Sequence, residues 1–292
     1  MRKFPYRKVD AFTSGGSLGN PAAYLHTGST QLTVEEMLAV AKEHKGFVSE
    51  VVFCSASKVA DVKLTYYSSE CEVDFCGHGT VATMVDVIRN DSSLKGESEI
   101  IVETNKKGLL TVYNRLDSDN SVYITAPKAQ WLPVPVSLNE VSDALGLPPD
   151  AISCELPLDF IDAGLRTLIV PIAKLNDEVS VYPEMEGLER FCLRNGIDII
   201  LIFCIQTSSP GSCAHTRVFA PKFGYLEDPA TGSGNSAFAN YMLRNGLWDG
   251  SPTKVEQGGD NRVLNSVSLM KMGEHILFGG SATLRIAGEY YL

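Results

Sequence analysis

The sequence predicts an α+β protein made of two similar halves, each a mostly antiparallel sheet wrapped around a buried helix. Three observations carry this. Short apolar or alternating runs, at 8–12, 51–54, 62–67, 99–103, 109–113, 122–126 and 267–272, recur along the chain with turn residues between them, as in a mostly antiparallel β protein. Helices are few, and caps announce them. A glycine-led apolar helix occurs twice: 77–90 can be laid on 232–245 at a constant offset of 155 positions, and five of the fourteen aligned residues are identical. Such a self-match, at nearly half the chain length, points to a duplicated domain.

The elements follow in order. After the strand at 8–12, Thr33-Val34-Glu35-Glu36 is a capping box that starts a helix. Strands at 51–54 and 62–67 lead to the first glycine-led helix at 77–90, which is apolar nearly all round and should be buried by the strands of its own half. Three more strand runs close the first half. Pro127, Pro133 and Pro135 then fall in a stretch without periodicity and mark a boundary near residue 130, giving halves of 1–128 and 129–292, with the last strand expected to return to the first half. In the second half, Ser137-Leu138-Asn139-Glu140 is another capping box, whose helix ends at Gly146 before Pro148-Pro149, and residues 188–194, ended by Asn195-Gly196, form a third candidate helix. A weaker echo pairs Val9-Asp10-Ala11 with Ile161-Asp162-Ala163.

Composition removes several function classes. The 292 residues are 44% apolar and 21% charged, which excludes disorder. The net charge is −10 with no basic cluster, a poor match for nucleic acid or an anionic membrane surface. The N-terminal Met-Arg-Lys-Phe-Pro-Tyr-Arg-Lys has no apolar leader core, and the longest apolar run, 199–205, is far too short to span a bilayer. Seven cysteines, an odd number without regular spacing, fit a reduced, cytoplasmic protein.

The chemistry-bearing residues gather near the two glycine segments. The first N–H groups of a helix have no partner within it, and with the helix dipole they make an anion site. Two such sites facing each other across a cleft between the halves could hold a small carboxylate from both ends; equally, each segment alone reads as a tight strand-to-helix turn. Metal binding is a poor reading of Cys71, Cys76 and His78, which lack CxxC or HxxxH spacing and would need another ligand pair for zinc. Cys76 with His78 as nucleophile and base also fails, because side chains at i and i+2 around a turn rarely point together. A Ser233 triad has no identifiable base among the five histidines. Glu50 is a lone carboxylate in the apolar run 46–54. In a closed cleft a carboxylate is suited to proton shuttling; as the first residue of a strand it would simply face solvent, the commoner case.

Several segments together resemble the PhzF-like, phenazine-biosynthesis-like family of the diaminopimelate-epimerase-like superfamily. They are Val9-Asp10-Ala11-Phe12 with Gly19-Asn20-Pro21-Ala22-Ala23, Ser49-Glu50, and Glu72-Val73-Asp74-Phe75-Cys76-Gly77-His78-Gly79-Thr80. Further on come Glu103-Thr104 with Gly108-Leu109-Leu110, Gly164-Leu165-Arg166 with Leu168-Ile169-Val170-Pro171, and Phe219-Ala220-Pro221 with Glu227-Asp228-Pro229-Ala230-Thr231-Gly232-Ser233. The resemblance implies two β-barrel-like halves around central helices with the site in the cleft between them, and a homodimer. It also implies a metal- and cofactor-free isomerase that moves a proton on a small carboxylic or amino acid, its best-understood relative acting on a dihydro-hydroxyanthranilate. By match Glu50 is the acid/base, His78 and Asp228 orient substrate and proton, and Asn20, Ser49, Gly77, Gly232 and Ser233 bind the substrate.

The chain departs from the family pattern in two places. Gly79 stands where alanine is usual, which removes a methyl from the expected cleft and loosens the helix start, and Tyr67-Ser68-Ser69 replaces a Thr-Pro pair. The superfamily's other branch uses two facing cysteines. Cys76 occupies the first of those positions, but Thr231 occupies the second, and a hydroxyl cannot replace a thiolate at neutral pH. Cys76 is then a packing residue or a wall of the cleft. A relative that binds a small acid without turnover is the remaining alternative.

Overall fold

A computed structural model of the chain describes residues 1–259 and 262–292. The chain divides into two compact units, Met1–Thr125 with Gly279–Leu292, and Ala126–Phe278. The first contains β1 (Lys3–Ala11), β2 (Asn20–Gly28), α1 (Val34–Glu43), β3 (Glu50–Ser55), β4 (Val62–Ser68), β5 (Glu72–Val73), α2 (Gly77–Asn90), β6 (Glu99–Thr104), β7 (Gly108–Arg115), the single turn α3 (Leu116–Asp119) and β8 (Ser121–Thr125). The second begins with β9 (Gln130–Leu132), α4 (Leu138–Leu145), β10 (Asp159–Asp162), β11 (Arg166–Pro171), α5 (Leu175–Val179), α6 (Met185–Asn195) and β12 (Ile199–Cys204). It continues through β13 (Ser212–Phe219), β14 (Glu227–Asp228), α7 (Gly232–Arg244), β15 (Thr253–Gln257) and β16 (Asn265–Met272), and the chain ends in β17 (His275–Gly280) and β18 (Ala282–Tyr291).

The duplication is visible in the strand pairing. In the first unit β1 is antiparallel to β2, β2 parallel to β3, β3 antiparallel to β4, β4 antiparallel to β5 and parallel to β6, and β6 antiparallel to β7. The second unit repeats this order strand for strand: β10 with β11, β11 with β12, β12 with β13, β13 with β14 and β15, and β15 with β16 carry the same directions. The expected dominance of antiparallel pairing holds, with two parallel pairs in each unit among the described residues. β18 completes the first unit as the antiparallel neighbour of β1.

Local chemistry places the helices. The Thr33–Glu36 and Ser137–Glu140 capping boxes both form, and α4 and α6 end on Gly146 and Gly196 in the left-handed region at φ 66° and 67°, the conformation glycine reaches at least cost. α2 is buried from Gly79 to Ile88 and packs against β1, β2, β3, β8 and β18. Its interior polar groups are paired: the Tyr24 hydroxyl donates to Asp86 Oδ2 at 2.7 Å, and Tyr66 Oη and Thr80 Oγ1 lie 2.8 Å apart. α7 is the buried helix of the second unit, packed against β10, β11, β12 and β16.

Gly232 opens α7 because nothing larger fits. A Cβ there would lie 2.2 Å from Cε2 of Phe278, a ring that is itself buried. Overpacking of this kind costs about 1–3 kcal/mol, more than the helix propensity gained from alanine. Gly232→Ala is therefore expected to lower stability by about that amount in urea unfolding, whereas a gain in midpoint would show that the ring moves freely.

The second unit also buries an acid–base pair. Glu178 on α5 and His215 on β13 are fully buried, with Glu178 Oε1 3.1 Å from His215 Nδ1. This is ion-pair distance, yet the groups are not aligned as a hydrogen bond, and among the described residues neither carboxylate oxygen has an aligned partner. Burial pushes the Glu178 carboxyl up to about 7, against the opposing pull of His215 and Arg217. The folded chain thus keeps a proton that the unfolded chain, titrating near 4.5, has released. The stability this contributes is complete below the unfolded value and is lost as pH rises towards 7. Glu178→Gln should gain on the wild type between about pH 5 and about pH 8 in urea melts; an unchanged difference would contradict the assignment.

Candidate active site

β3 enters the first unit with both faces covered. Val51 and Phe53 join the cluster that packs under α1, while Val52 approaches Gly79 on α2. Side chains alternate along a strand, so Glu50, two residues before Val52, is turned towards the start of α2. Its side chain is 20% exposed. The solvent-facing orientation that is commoner for a strand's first carboxylate is not what forms here.

The residue that ends the approach to α2 completes the cluster. Cys76 is the N-cap, with extended backbone at φ −132° and ψ 108°, and its sulfur accepts the Gly79 N–H at 3.3 Å. Gly77 and His78 occupy the first turn. His78 Nε2 lies 3.3 Å from Glu50 Oε2, the Cys76 thiol donates to the same oxygen at 3.7 Å, and Cys76 Sγ is 3.6 and 3.8 Å from the two ring nitrogens of His78. The expectation that Cys76 and His78 point apart is therefore corrected: the N-cap's extended φ and ψ swing the sulfur back over the first turn, where the ring sits. Cys76 is buried, but it is more than a wall, since it touches both partners of the carboxylate–imidazole pair. Cys71 is exposed and stays apart, with its sulfur 4.0 Å from Ser68 Oγ.

Gly79 has a structural reason of its own. A Cβ there would sit 2.9 Å from Cys76 Sγ and 3.0 Å from Val52 Cγ2. The missing methyl would point at the capping sulfur, so the glycine makes room for the thiol rather than enlarging a cleft.

In the second unit the loop before α7 is held by a residue the sequence did not flag. Gln257, fully buried on β15, accepts the Thr231 N–H at 3.0 Å and the Asn235 side-chain N–H at 2.8 Å. Its amide donates to the Asp228 carbonyl at 2.9 Å and to Thr231 Oγ1 at 3.2 Å. Thr231, the N-cap of α7 and the counterpart of Cys76, donates its hydroxyl to Asp228 Oδ2 at 2.5 Å. Asn265 adds a bond to the Pro229 carbonyl at 2.7 Å. Asp228 is half-buried, Gly232 is buried and Ser233 is half-buried at the helix start. A polar residue on an otherwise regular strand gives no sequence signal for such a role.

The other expected positions lie in the first unit. Asn20 is buried as the first residue of β2, opposite Ala11, and Ser49 is exposed immediately before Glu50. Phe12, just past β1, has φ 60° although fully buried, a left-handed conformation that a bulky residue holds only where its surroundings enforce it; its N–H donates to the Ser281 carbonyl at 2.7 Å. Among the described residues no helix is long and apolar enough to cross a membrane.

Comparison with known proteins agrees with this picture. The family described as phenazine biosynthesis-like protein (PhzC-PhzF) matches residues 9–284. The chain is 30% identical to "Uncharacterized isomerase YfhB" of Bacillus subtilis, over 94% of both chains. It is similar to the crystal structure of a Bacillus anthracis phenazine biosynthesis protein of the PhzF family, with a TM-score of 0.86, 25% identity and full coverage of both chains. A hydroxyproline epimerase from Agrobacterium vitis shares the fold at a TM-score of 0.57 and 12% identity, over 99% of this chain and 92% of that one. With curated relatives named as isomerases, the chain is an isomerase-type enzyme belonging to the phenazine biosynthesis-like (PhzC-PhzF) family, within the diaminopimelate-epimerase-like superfamily.

Proposed function

We propose that the chain is a cofactor-independent isomerase of a small carboxylic or amino acid, in which Glu50 takes a proton from one carbon and returns it at another. The observation that carries the reading is the pairing of Glu50 with His78 at 3.3 Å at the start of α2. A carboxylate beside an imidazole, part-buried yet reachable, can accept a proton while the ring holds the substrate or the proton's destination in place. The N–H groups of Gly77 and His78, in the first turn of the helix, offer donors to a substrate carboxylate. In this reading Asp228 orients the substrate, Gly232 and Ser233 give it a second set of helix-terminus donors, and Asn20 and Ser49 contact it.

The two-thiol racemase mechanism is not favoured. The position equivalent to Cys76 is Thr231, whose hydroxyl is already committed to Asp228. General acid/base catalysis supplies about 10²–10⁴-fold, and positioning and electrostatics supply the rest. A homodimer in a cytoplasmic setting completes the proposal.

The test is proton exchange. The protein is incubated in D₂O with a panel of unsaturated, cyclic and amino carboxylic acids and followed by NMR. Deuterium uptake at a carbon adjoining a carboxylate or double bond supports the reading and names the substrate class. Binding of panel members, seen by thermal shift, without any exchange would favour a non-catalytic acid-binding protein.

A further inference from the structure

We propose that Glu50, Cys76 and His78 form a three-donor site for a zinc-class divalent cation. The claim rests on the donor geometry and not on the isomerase reading. In a tetrahedral zinc site the metal lies about 2.0–2.2 Å from nitrogen and oxygen and about 2.3 Å from sulfur, which sets donor-to-donor edges of roughly 3.3–3.6 Å. The three atoms Glu50 Oε2, His78 Nε2 and Cys76 Sγ are separated by 3.3, 3.7 and 3.8 Å. The three donor atoms are thus close enough for one ion to reach them all, with the imidazole turning to aim Nε2 at it, since Sγ now lies nearly equidistant from Nδ1 and Nε2.

The donor set selects the ion. A thiol, an imidazole and one carboxylate suit zinc and cobalt, whereas magnesium and calcium require oxygen ligands. The surroundings hold the softest donor in position. Cys76 Sγ accepts the Gly79 N–H at the start of α2, where a helix end favours negative charge, and Gly79 lacks the methyl that would press on the sulfur. Glu50 and His78 remain 20% and 16% exposed, which leaves a route for the ion and a fourth position open to water.

On binding, a metal–sulfur bond forms, the thiol proton passes to buffer, and nothing is oxidised or reduced. The ion also engages the carboxylate and the imidazole that proton transfer needs. If the isomerase reading holds, zinc therefore inhibits turnover, and chelation restores it.

Cobalt(II) titration of the intact protein, followed by absorption, tests the site without reference to activity. The expected result is one ion per chain, a thiolate-to-cobalt charge-transfer band, the intense visible bands of tetrahedral cobalt, and displacement by zinc. Cys76→Ala should abolish the charge-transfer band. His78→Gln and Glu50→Gln should each weaken binding by at least about tenfold. Cys71→Ala, which alters the exposed cysteine outside the cluster, should leave the titration unchanged. Should Cys76→Ala fail to fold, His78→Gln and Glu50→Gln decide the question. Absence of the band in the wild type, or a band that survives Cys76→Ala or follows Cys71→Ala, overturns the proposal while leaving the isomerase reading intact.

Discussion

Glu50→Gln is expected to lower turnover by about 10²–10⁴-fold or more while leaving substrate binding and stability nearly unchanged. Glutamine keeps the shape of the side chain and can still meet His78, but it cannot carry a proton from one carbon to another. Glu50 begins β3 rather than sitting at its centre, and its neighbours Val51 and Val52 are the residues that anchor the strand. The loss should therefore fall on kcat, with KM little altered. Urea unfolding of the variant would detect any structural contribution. Wild-type kcat in a folded Glu50→Gln protein would remove Glu50 from the mechanism.

The second large effect is structural. Arg217 on β13 is fully buried, and its guanidinium is fully engaged: Nε and Nη2 donate to the Glu227 carboxylate at 3.0 and 3.1 Å, and Nη1 donates to the carbonyls of Glu178, Val179 and Val181. The guanidinium also lies 5.1 Å from the ring centroids of Tyr182 and Phe219. One side chain thus joins β13, β14 and the end of α5. Arg217→Met would take both guanidinium hydrogen bonds from the Glu227 carboxylate, which keeps Arg262 at 4.0 Å, and one donor from each of three carbonyls; removing one partner of a buried pair typically costs about 3–5 kcal/mol. A loss of that size in urea unfolding is expected. The double variant Arg217→Met with Glu227→Gln should recover part of it, because the stranded charge is gone; equal losses in the single and double variants would show that charge pairing is not the source.

Much of this was legible in the sequence where a local rule decides the outcome. The capping boxes at Thr33 and Ser137, the glycines at 146 and 196, and the two glycine-led helices each have a short-range cause, and each formed. The echo between 77–90 and 232–245 appears in the structure as the same pairing order in both units. What was not legible depends on orientation or on distant partners. Cys76 and His78 meet because of the φ and ψ of one N-cap residue, which spacing alone does not give. Glu50 faces α2 because Val51 and Phe53 commit the opposite face of β3 to α1; that alternation is present in the sequence but has no direction until both helices are placed. Gln257, Arg217 and the Glu178–His215 pair are polar residues on buried elements whose partners lie up to 39 positions away, and no periodicity marks them.

The central claim is that the travelling proton belongs to Glu50 and not to the thiol beside it. The most direct measurement compares deuterium uptake from D₂O into an exchanging substrate for the wild type, Glu50→Gln and Cys76→Ala, each shown to be folded and kept free of metal by chelator. The account predicts that exchange disappears in Glu50→Gln and persists in Cys76→Ala. Exchange that persists in Glu50→Gln and disappears in Cys76→Ala would contradict it and assign the chemistry to Cys76.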